Sequence, residues 1–290
     1  IGNLIIIIPT LFRIKSLNFS IEYKLLRSLI LLGLPLLLFN FLVLLTTSID
    51  RVMISQLVSS NKAALGIFHF GYLLSFGVMT AFNSVIFLLL PKVLRQFNSH
   101  SQDTNLMMEQ SKLVENVIVL IAILGITILP TFIDKFMPQY VQSILVMQFL
   151  LLAYSVNGLS FLPGTHMIAN NLQLKLLPAF LLSLFTAVLL NYLSIELGYG
   201  IYGIAIATIF TFGIYTFGLF LIYIRLMKIN LFRGLFKIFW KLGVLIPVSV
   251  ILLYEGSNLL WIFLLYTLLY GKDFIILSKL YYPLLKSLIR

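Results

Sequence analysis

Long apolar runs separated by short polar segments account for most of this chain. A helix needs about 20 predominantly apolar residues to cross the hydrocarbon core of a bilayer. Runs that meet this requirement are predicted to be spanning helices, and they are Leu29–Ile49, Leu65–Pro91, Leu113–Phe132, Ser143–Ala169, Leu176–Ile195 and Tyr202–Ile224. Residues 1–12 have the composition of the end of a preceding span. The pattern predicts an all-α, polytopic transmembrane helix bundle.

Two shorter apolar runs lie near the C-terminus. Leu242–Tyr254 and Leu259–Leu277 flank a turn-rich break at residues 255–258. If both runs cross the membrane, the basic tail lies on the same side as most other cations. A single long span would place the tail on the opposite side. We therefore predict a terminal pair, and about eight spans in all. The second span carries Lys272 and Asp273, and a lysine can extend its ammonium group to the interface.

Lysine and arginine are distributed unevenly between the two sides of the predicted bundle. When the connecting segments are assigned alternately to the two sides, one side receives 17 of the 20 cations. They are Arg13, Lys15, Lys24, Arg27, Lys92, Arg95, Lys112, Lys175, Arg225, Lys228, Arg233, Lys237, Lys241, Lys272, Lys279, Lys286 and Arg290. The other side receives Arg51, Lys62 and Lys135. Because loops rich in Lys and Arg stay in the cytoplasm, we predict a cytoplasmic C-terminus.

The composition narrows the class of protein further. With 61% hydrophobic residues, 10% charged residues and a mean hydropathy of +1.08, the chain lacks the charge of a soluble surface. The net charge of +11 comes from cations beside apolar runs, so the expected partner is anionic membrane lipid and not nucleic acid. The absence of cysteine excludes thiolate metal sites and cysteine nucleophiles. No cofactor, metal or catalytic residue is expected.

The connections between the runs are short. None of them could house a soluble catalytic domain, which argues against an enzyme that works outside the membrane. In residues 13–28, cations alternate with apolar residues at helical spacing. This spacing favours an interfacial amphipathic helix, and a solvated linker is the alternative that stays open.

A series of short motifs in a fixed order carries a family resemblance. They are Leu34-Pro35, Ser48-Ile49-Asp50-Arg51, Ala64-Leu65-Gly66-Ile67-Phe68, Leu90-Pro91-Lys92, Met137-Pro138-Gln139-Tyr140, Gly158-Leu159-Ser160, Pro163-Gly164-Thr165 and Gly200-Ile201-Tyr202-Gly203-Ile204-Ala205-Ile206-Ala207-Thr208. Over residues 20–225 the series resembles the C-terminal half of the polysaccharide flippases of Wzx type. These flippases belong to the multidrug/oligosaccharidyl-lipid/polysaccharide exporter superfamily.

The resemblance implies a domain organisation and a function. It implies an exporter of 12 to 14 spans in two lobes, with residues 1–12 ending the preceding span and 13–28 linking the lobes in the cytoplasm. Residues 29–224 would form the C-terminal six-span lobe, and 225–290 a basic loop and the terminal pair. The implied substrate is an undecaprenyl-pyrophosphate-linked oligosaccharide, moved across the bacterial cytoplasmic membrane. The implied partners are the missing N-terminal lobe and proteins of polysaccharide assembly.

Asp50 and Arg51 are the strongest candidates for a site. Ionisable residues within a span are costly, and they usually face the bundle interior or a cavity in pairs. As a functional pair, Arg51 would bind a phosphate or an acidic sugar, and Asp50 would orient it or couple an ion. As a structural pair, they would form an interfacial salt bridge that ends the helix. His69, early in the next span and on the same side, is a third candidate.

Asparagines within the spans are further candidates for lining a hydrated cavity. They are Asn40, Asn83, Asn157 and Asn191. A cavity that carries a sugar through a bilayer needs such amides, although a single polar residue in a membrane bundle more often bonds across helices.

Other functions stay open at this stage. A peptidoglycan-precursor flippase of the same superfamily would be expected to carry several mid-membrane arginines. A cation-coupled drug exporter would carry acids deep in its spans, where only Asp50 comes near and Glu115 sits at a span start. From other classes, a membrane enzyme of polysaccharide assembly and a non-transporting remnant remain.

Overall fold

The computed structural model describes residues 22–57, 62–99, 104–170, 172–227 and 230–273. Helices in this part of the chain are α1 (Tyr23–Leu57), α2 (Lys62–Ser99), α3 (Thr104–Phe136), α4 (Ser143–Gly158), α5 (Phe161–Ala169), α6 (Leu177–Glu196), α7 (Gly200–Leu226), α8 (Leu231–Tyr254) and α9 (260–273). Short 3₁₀ segments precede α4 and α6, at Pro138–Tyr140 and Gln173–Leu176. No strand occurs among these residues, so the predicted all-α class is confirmed.

Six helical segments of the described chain are long and apolar enough to cross a membrane. They are Ala63–Ser84, Ser111–Phe136, Ser143–Ala169, Gln173–Glu196, Gly200–Leu226 and Gly234–Tyr254. About eight spans were predicted; the predicted span Leu29–Ile49 lies within α1, a continuous helix from Tyr23, but neither α1 nor α9 supplies one of these six segments. The chain is therefore a multi-pass membrane protein, as its apolar pattern predicts.

Two spans form the centre of the bundle. The span Ser143–Ala169 is 67% buried and the span Gly200–Leu226 is 61% buried, against 28–44% for the other four. A helix that is apolar on all sides favours such a central position. The first of these spans is broken between α4 and α5, and the Thr216 hydroxyl on α7 donates to the backbone carbonyl of Val156 at 3.2 Å.

A tight hairpin joins α6 to α7. Gly198 and Gly200 have φ of 78° and 56°, which side-chain-bearing residues rarely adopt. The two helices also approach closely, because a Cβ atom at Gly203 would lie 2.8 Å from the Cβ atom of Ser194. This hairpin aligns Asn191 on α6 with Thr208 on α7, each a few residues from the turn.

The spans alternate in direction, which gives the bundle two ends. The helices α1, α3, α6 and α8 end on one side, here called the Leu57 end. The helices α2, α5 and α7 end on the other side, here called the Ser99 end.

The first helix of the terminal pair begins earlier than predicted. The span Gly234–Tyr254 begins eight residues before the predicted start at Leu242, so that prediction was wrong. Lys237 and Lys241 had been assigned to a basic loop. The structure places both within α8, where the Lys241 ammonium group forms an ion pair with Asp273 of α9. A paired charge is tolerated inside a helix bundle far better than a free one.

Parts of the predicted organisation lie outside the described residues. These parts are the end of a preceding span at 1–12, most of the link at 13–21, and the tail at 274–290. Residues 23–28 are the first turns of α1. α8 and α9 are separate helices, joined by a turn in which Gly256 has φ of 67°.

Candidate functional site

One buried carboxylate near the Leu57 end gathers residues from four helices. We call this group the Asp50 cluster, and it consists of Asp50 and Arg51 on α1, Tyr72 on α2, Asn191 on α6 and Thr208 on α7. Three of its members, Asp50, Arg51 and Asn191, were predicted as site residues.

Asp50 is hydrogen-bonded through both of its carboxylate oxygens. The side chain of Asn191 donates to Oδ1 at 2.7 Å, and the hydroxyl of Thr208 lies 3.0 Å from Oδ2. The partners are 141 and 158 residues away in sequence, so these contacts fix α1 against the α6–α7 hairpin. Only 6% of Asp50 is exposed, and no cation among the described residues lies within ion-pair distance of it. The hydrogen-bond partners of the carboxyl group are therefore neutral.

The acceptor oxygen atoms around Asp50 outnumber the hydrogen atoms available to form hydrogen bonds with them. The Thr208 hydroxyl lies 3.0 Å from Asp50 Oδ2 and 2.9 Å from the carbonyl oxygen of Ile204, but it has one hydrogen to donate. The Oδ1 atom of Asn191 is buried without a hydrogen-bond partner, and so is the hydroxyl of Thr211 one turn further along α7. A proton on Asp50 or a small hard cation such as Na⁺ suits this set of oxygens, because such cations prefer oxygen ligands.

Arg51 makes its contacts with other groups than those that bind Asp50. Adjacent residues on a helix do not face each other, and the two side chains form no ion pair. The Arg51 guanidinium donates to the Thr47 carbonyl at 3.1 Å, and its carbon lies 4.2 Å from the ring centroid of Tyr72. α1 also continues to Leu57, seven residues beyond Asp50. The pair therefore neither forms a salt bridge nor ends the helix.

A row of rings extends from the guanidinium into the bundle. The Tyr72 ring stacks with His69 at 5.9 Å and with Phe76 at 5.6 Å between centroids. Its ring centroid also lies 6.5 Å from that of Tyr154, which in turn lies 5.5 Å from Phe212. His69 thus joins the cluster through Tyr72 and not through Asp50. Such a row offers ring faces and a partly buried cation side by side.

The other three predicted residues do not join this cluster. Asn40 and Asn83 are exposed on α1 and α2, and Asn157 is half-buried near the end of α4. None of the three forms a hydrogen bond with a member of the Asp50 cluster. The asparagines were selected for their polarity within a span, and polarity alone does not say which helix face a residue occupies.

Sequence reasoning missed Tyr72 and Thr208. Thr208 closes the last of the family-like motifs, and Tyr72 follows His69 by three residues, which places both on one face of α2. These signals were available, but threonine and tyrosine are ordinary residues in membrane helices. Only their contacts with Asp50 and Arg51 distinguish them.

A second buried carboxylate lies toward the Ser99 end. We call its surroundings the Glu115 cluster, and it consists of Glu115 on α3, Lys241 on α8, and Tyr270 and Asp273 on α9. The Tyr270 hydroxyl donates to Glu115 at 2.7 Å, and the Lys241 ammonium nitrogen lies 4.7 Å from the Tyr270 ring centroid. Lys241 forms its ion pair with Asp273.

These features define the class of protein. The chain is a multi-pass helical membrane protein that holds two buried ionisable clusters, and its described residues contain no group of three or more His, Cys, Asp or Glu that could hold a metal ion. Comparison with protein-family models, curated proteins and solved structures finds no significant match.

Proposed function

We propose that the protein is a flippase for lipid-linked oligosaccharides and that this chain forms one lobe of it. In this proposal it lies in a bacterial cytoplasmic membrane, with the cation-rich Ser99 end in the cytoplasm. The substrate would be an undecaprenyl-pyrophosphate-linked repeat unit, as the resemblance to the Wzx-type flippases implies. The observation that carries the proposal is the Arg51 guanidinium, which stacks on Tyr72 and has no carboxylate oxygen within ion-pair distance among the residues that the structure describes.

The chemistry of the substrate matches that observation. A pyrophosphate or an acidic sugar needs a cation, and a sugar ring packs well on an aromatic face. Arg51 supplies fixed donors for phosphate oxygens. The rings of His69, Tyr72 and Phe76 line up beside it along α2. Arg51 is also half-buried, so a charged ligand there would be partly shielded from water.

Asp50 supplies a way to drive the transport. Its carboxylate sits among oxygens that suit one added positive charge, and it connects α1 to the α6–α7 hairpin. Binding or release of a proton or of Na⁺ would change the charge at this junction and thereby the packing of α1. A ligand shifts a conformational equilibrium only through such a difference between states. Asp50 is therefore the proposed coupling residue, and Arg51 the proposed substrate residue.

Genetic complementation tests the proposal. The complete gene is introduced into a flippase-null strain, and surface polysaccharide is measured for the wild type, Arg51→Ala and the control Lys135→Ala. Lys135 is an exposed cation in the last turn of α3, at the same end of the bundle. We expect Arg51→Ala alone to lose polysaccharide. Failure of the wild type to restore it, or wild-type behaviour of Arg51→Ala, would contradict the proposal.

A cation-coupled exporter of the same superfamily is the second candidate. The observation that favours it is the burial of two acids, Asp50 and Glu115, within the bundle. A cationic drug would compete with the coupling ion at such a carboxylate. Drug-resistance assays on the same strains separate the two functions, because only an exporter would raise the tolerated concentration of cationic drugs.

A further inference from the structure

α9 is held against the rest of the bundle along one face. The buried residues of α9 are Ile262, Tyr266 and Tyr270, which recur every fourth position and form a single stripe. On the other faces of α9, Leu260 and Leu268 are 70% and 73% exposed. The partly buried Leu265 and Leu269 flank the stripe, so α9 contacts the bundle along one face.

An apolar stripe alone does not hold a helix to its neighbours inside a bilayer. Lipid tails are as apolar as leucine, so burying the stripe brings no hydrophobic gain, and polar contacts and close packing decide whether the helix associates. Both tyrosines of the stripe direct their hydroxyls to α3. Tyr270 donates to the Glu115 carboxylate at 2.7 Å, and Tyr266 donates to the carbonyl oxygen of Asn116 at 3.4 Å.

The ion pair in the same cluster has a different role. Lys241 and Asp273 lie on α8 and α9, so their pairing joins the two terminal helices to each other and not to α3. The Tyr270 ring lies beneath the Lys241 ammonium group and thus touches both connections. The polar contacts of α9 therefore form two sets. The ion pair joins α9 to α8, and the tyrosine hydroxyls join α9 to α3.

We propose that, in the terminal hairpin formed by α8 and α9, a polar lock from Tyr270 to Glu115 controls the docking of α9 on α3, while the Lys241–Asp273 ion pair holds α9 to α8. α8 itself packs against α4 and α7, so the release point concerns α9 and not the whole hairpin. Removing one hydroxyl weakens the hold of α3 on α9 and leaves the ion pair with α8 intact. This inference is independent of the transported substrate.

Distance measurements between spin labels test the lock in the whole chain. The sequence contains no cysteine, so introduced cysteines are labelled uniquely. One pair, Leu124→Cys with Thr267→Cys, reports the α3–α9 distance from two exposed positions. A second pair, Val248→Cys with Thr267→Cys, reports the α8–α9 distance. Both pairs are measured by pulsed electron paramagnetic resonance with the protein in lipid nanodiscs.

The two pairs should respond differently to the two substitutions. Tyr270→Phe keeps the ring and loses the hydroxyl, so the α3–α9 distances should broaden while the α8–α9 distances stay narrow. The ratio of α9 docked on α3 to α9 undocked should fall about 3- to 20-fold, as expected for the loss of an interhelical hydrogen bond in a membrane. Lys241→Met should instead broaden the α8–α9 distances. Tyr223→Phe, at a buried tyrosine of α7, is the matched control and should change neither.

Each possible result either supports or contradicts the proposed lock between Tyr270 and Glu115. Narrow α3–α9 distances in Tyr270→Phe would overturn the lock, and so would equal broadening of both pairs. If Tyr270→Phe does not yield folded protein, Glu115→Leu removes the acceptor from the other side and is read in the same way. Docking that survives the loss of that acceptor would also overturn the proposal.

Discussion

The two buried clusters use similar residues for different ends. Each contains an acid, a cation and a tyrosine beneath that cation. In the Asp50 cluster the acid accepts from neutral groups, and the cation forms no ion pair within the described part of the chain. In the Glu115 cluster the cation is already paired with a second acid, Asp273. The first arrangement leaves charge available to a ligand, whereas the second consumes its charge in joining helices.

Burial and helix membership agree with this division. The Asp50 cluster joins α1 to the α6–α7 hairpin and lies beside a partly exposed row of rings. The Glu115 cluster joins α3 to the terminal pair, and its tyrosine is fully buried. A ligand-binding site must be accessible to its ligand, whereas contacts that only join helices can be fully buried. The predictions below test this difference, beginning with the largest expected effect.

In the proposed flippase, replacement of the two acids should affect transport unequally. Asp50→Asn keeps the shape of the side chain but removes the charge that attracts a coupling cation, so the affinity for that cation should fall by ~10-fold or more, the size of loss that follows even from removing an outer-shell partner of a metal ligand. Glu115→Gln should leave transport near the wild-type level, because the amide oxygen still accepts from Tyr270. Complementation over a range of external Na⁺ and pH measures both. Equal loss in the two variants would abolish the distinction between the clusters.

The close approach of α6 and α7 offers a way to disturb the Asp50 cluster without touching its polar atoms. A Cβ atom at Gly203 would lie 2.6 Å from Tyr199 Cβ and 2.8 Å from Ser194 Cβ. Gly203→Val should therefore force the helices apart and destabilise the protein by about 1–3 kcal/mol. Gly213→Val is the matched control on α7, since no atom lies within 4 Å of a Cβ there. Thermal unfolding in nanodiscs compares the two variants, and equal melting temperatures would contradict the expectation.

The sequence predicted the helices well and the clusters only partly. Apolar runs locate spans because a bilayer demands them, and that signal is local. The partners of Asp50 are distant in the chain, so Asn191 was selected only for its polarity and Thr208 was not selected. Lys241 was wrongly predicted to lie in a loop, because a hydropathy scale counts every lysine as unfavourable within a membrane span. Its compensating partner, Asp273, lies 32 residues further on.

The Lys241–Asp273 pair should stabilise the terminal hairpin modestly. The Asp273 side chain is 32% exposed, so solvent screens part of the attraction, and the coupling should be at most ~1 kcal/mol. A double-mutant cycle with Lys241→Met and Asp273→Leu measures it from the fraction of protein that shows the narrow α8–α9 distance. The double variant should recover most of the loss seen in either single variant, because it leaves no unpaired charge. Additive losses would show that the two side chains do not interact.

Two buried asparagines allow the most closely matched comparison. Asn191 and Asn116 are each 1% exposed, but Asn191 donates to Asp50, whereas neither side-chain atom of Asn116 has a hydrogen-bond partner among the described residues. Asn191→Leu removes a donor from a buried carboxylate and should cost ~1.5–3 kcal/mol, the range for hydrogen bonds to charged groups. Asn116→Leu, beside Glu115, replaces an amide that bonds to nothing and should be neutral or slightly stabilising. Thermal unfolding of both variants measures the difference. A larger loss for Asn116→Leu would mean that its amide serves the Glu115 cluster through a bound water or ion, and the second cluster would then also be a binding site.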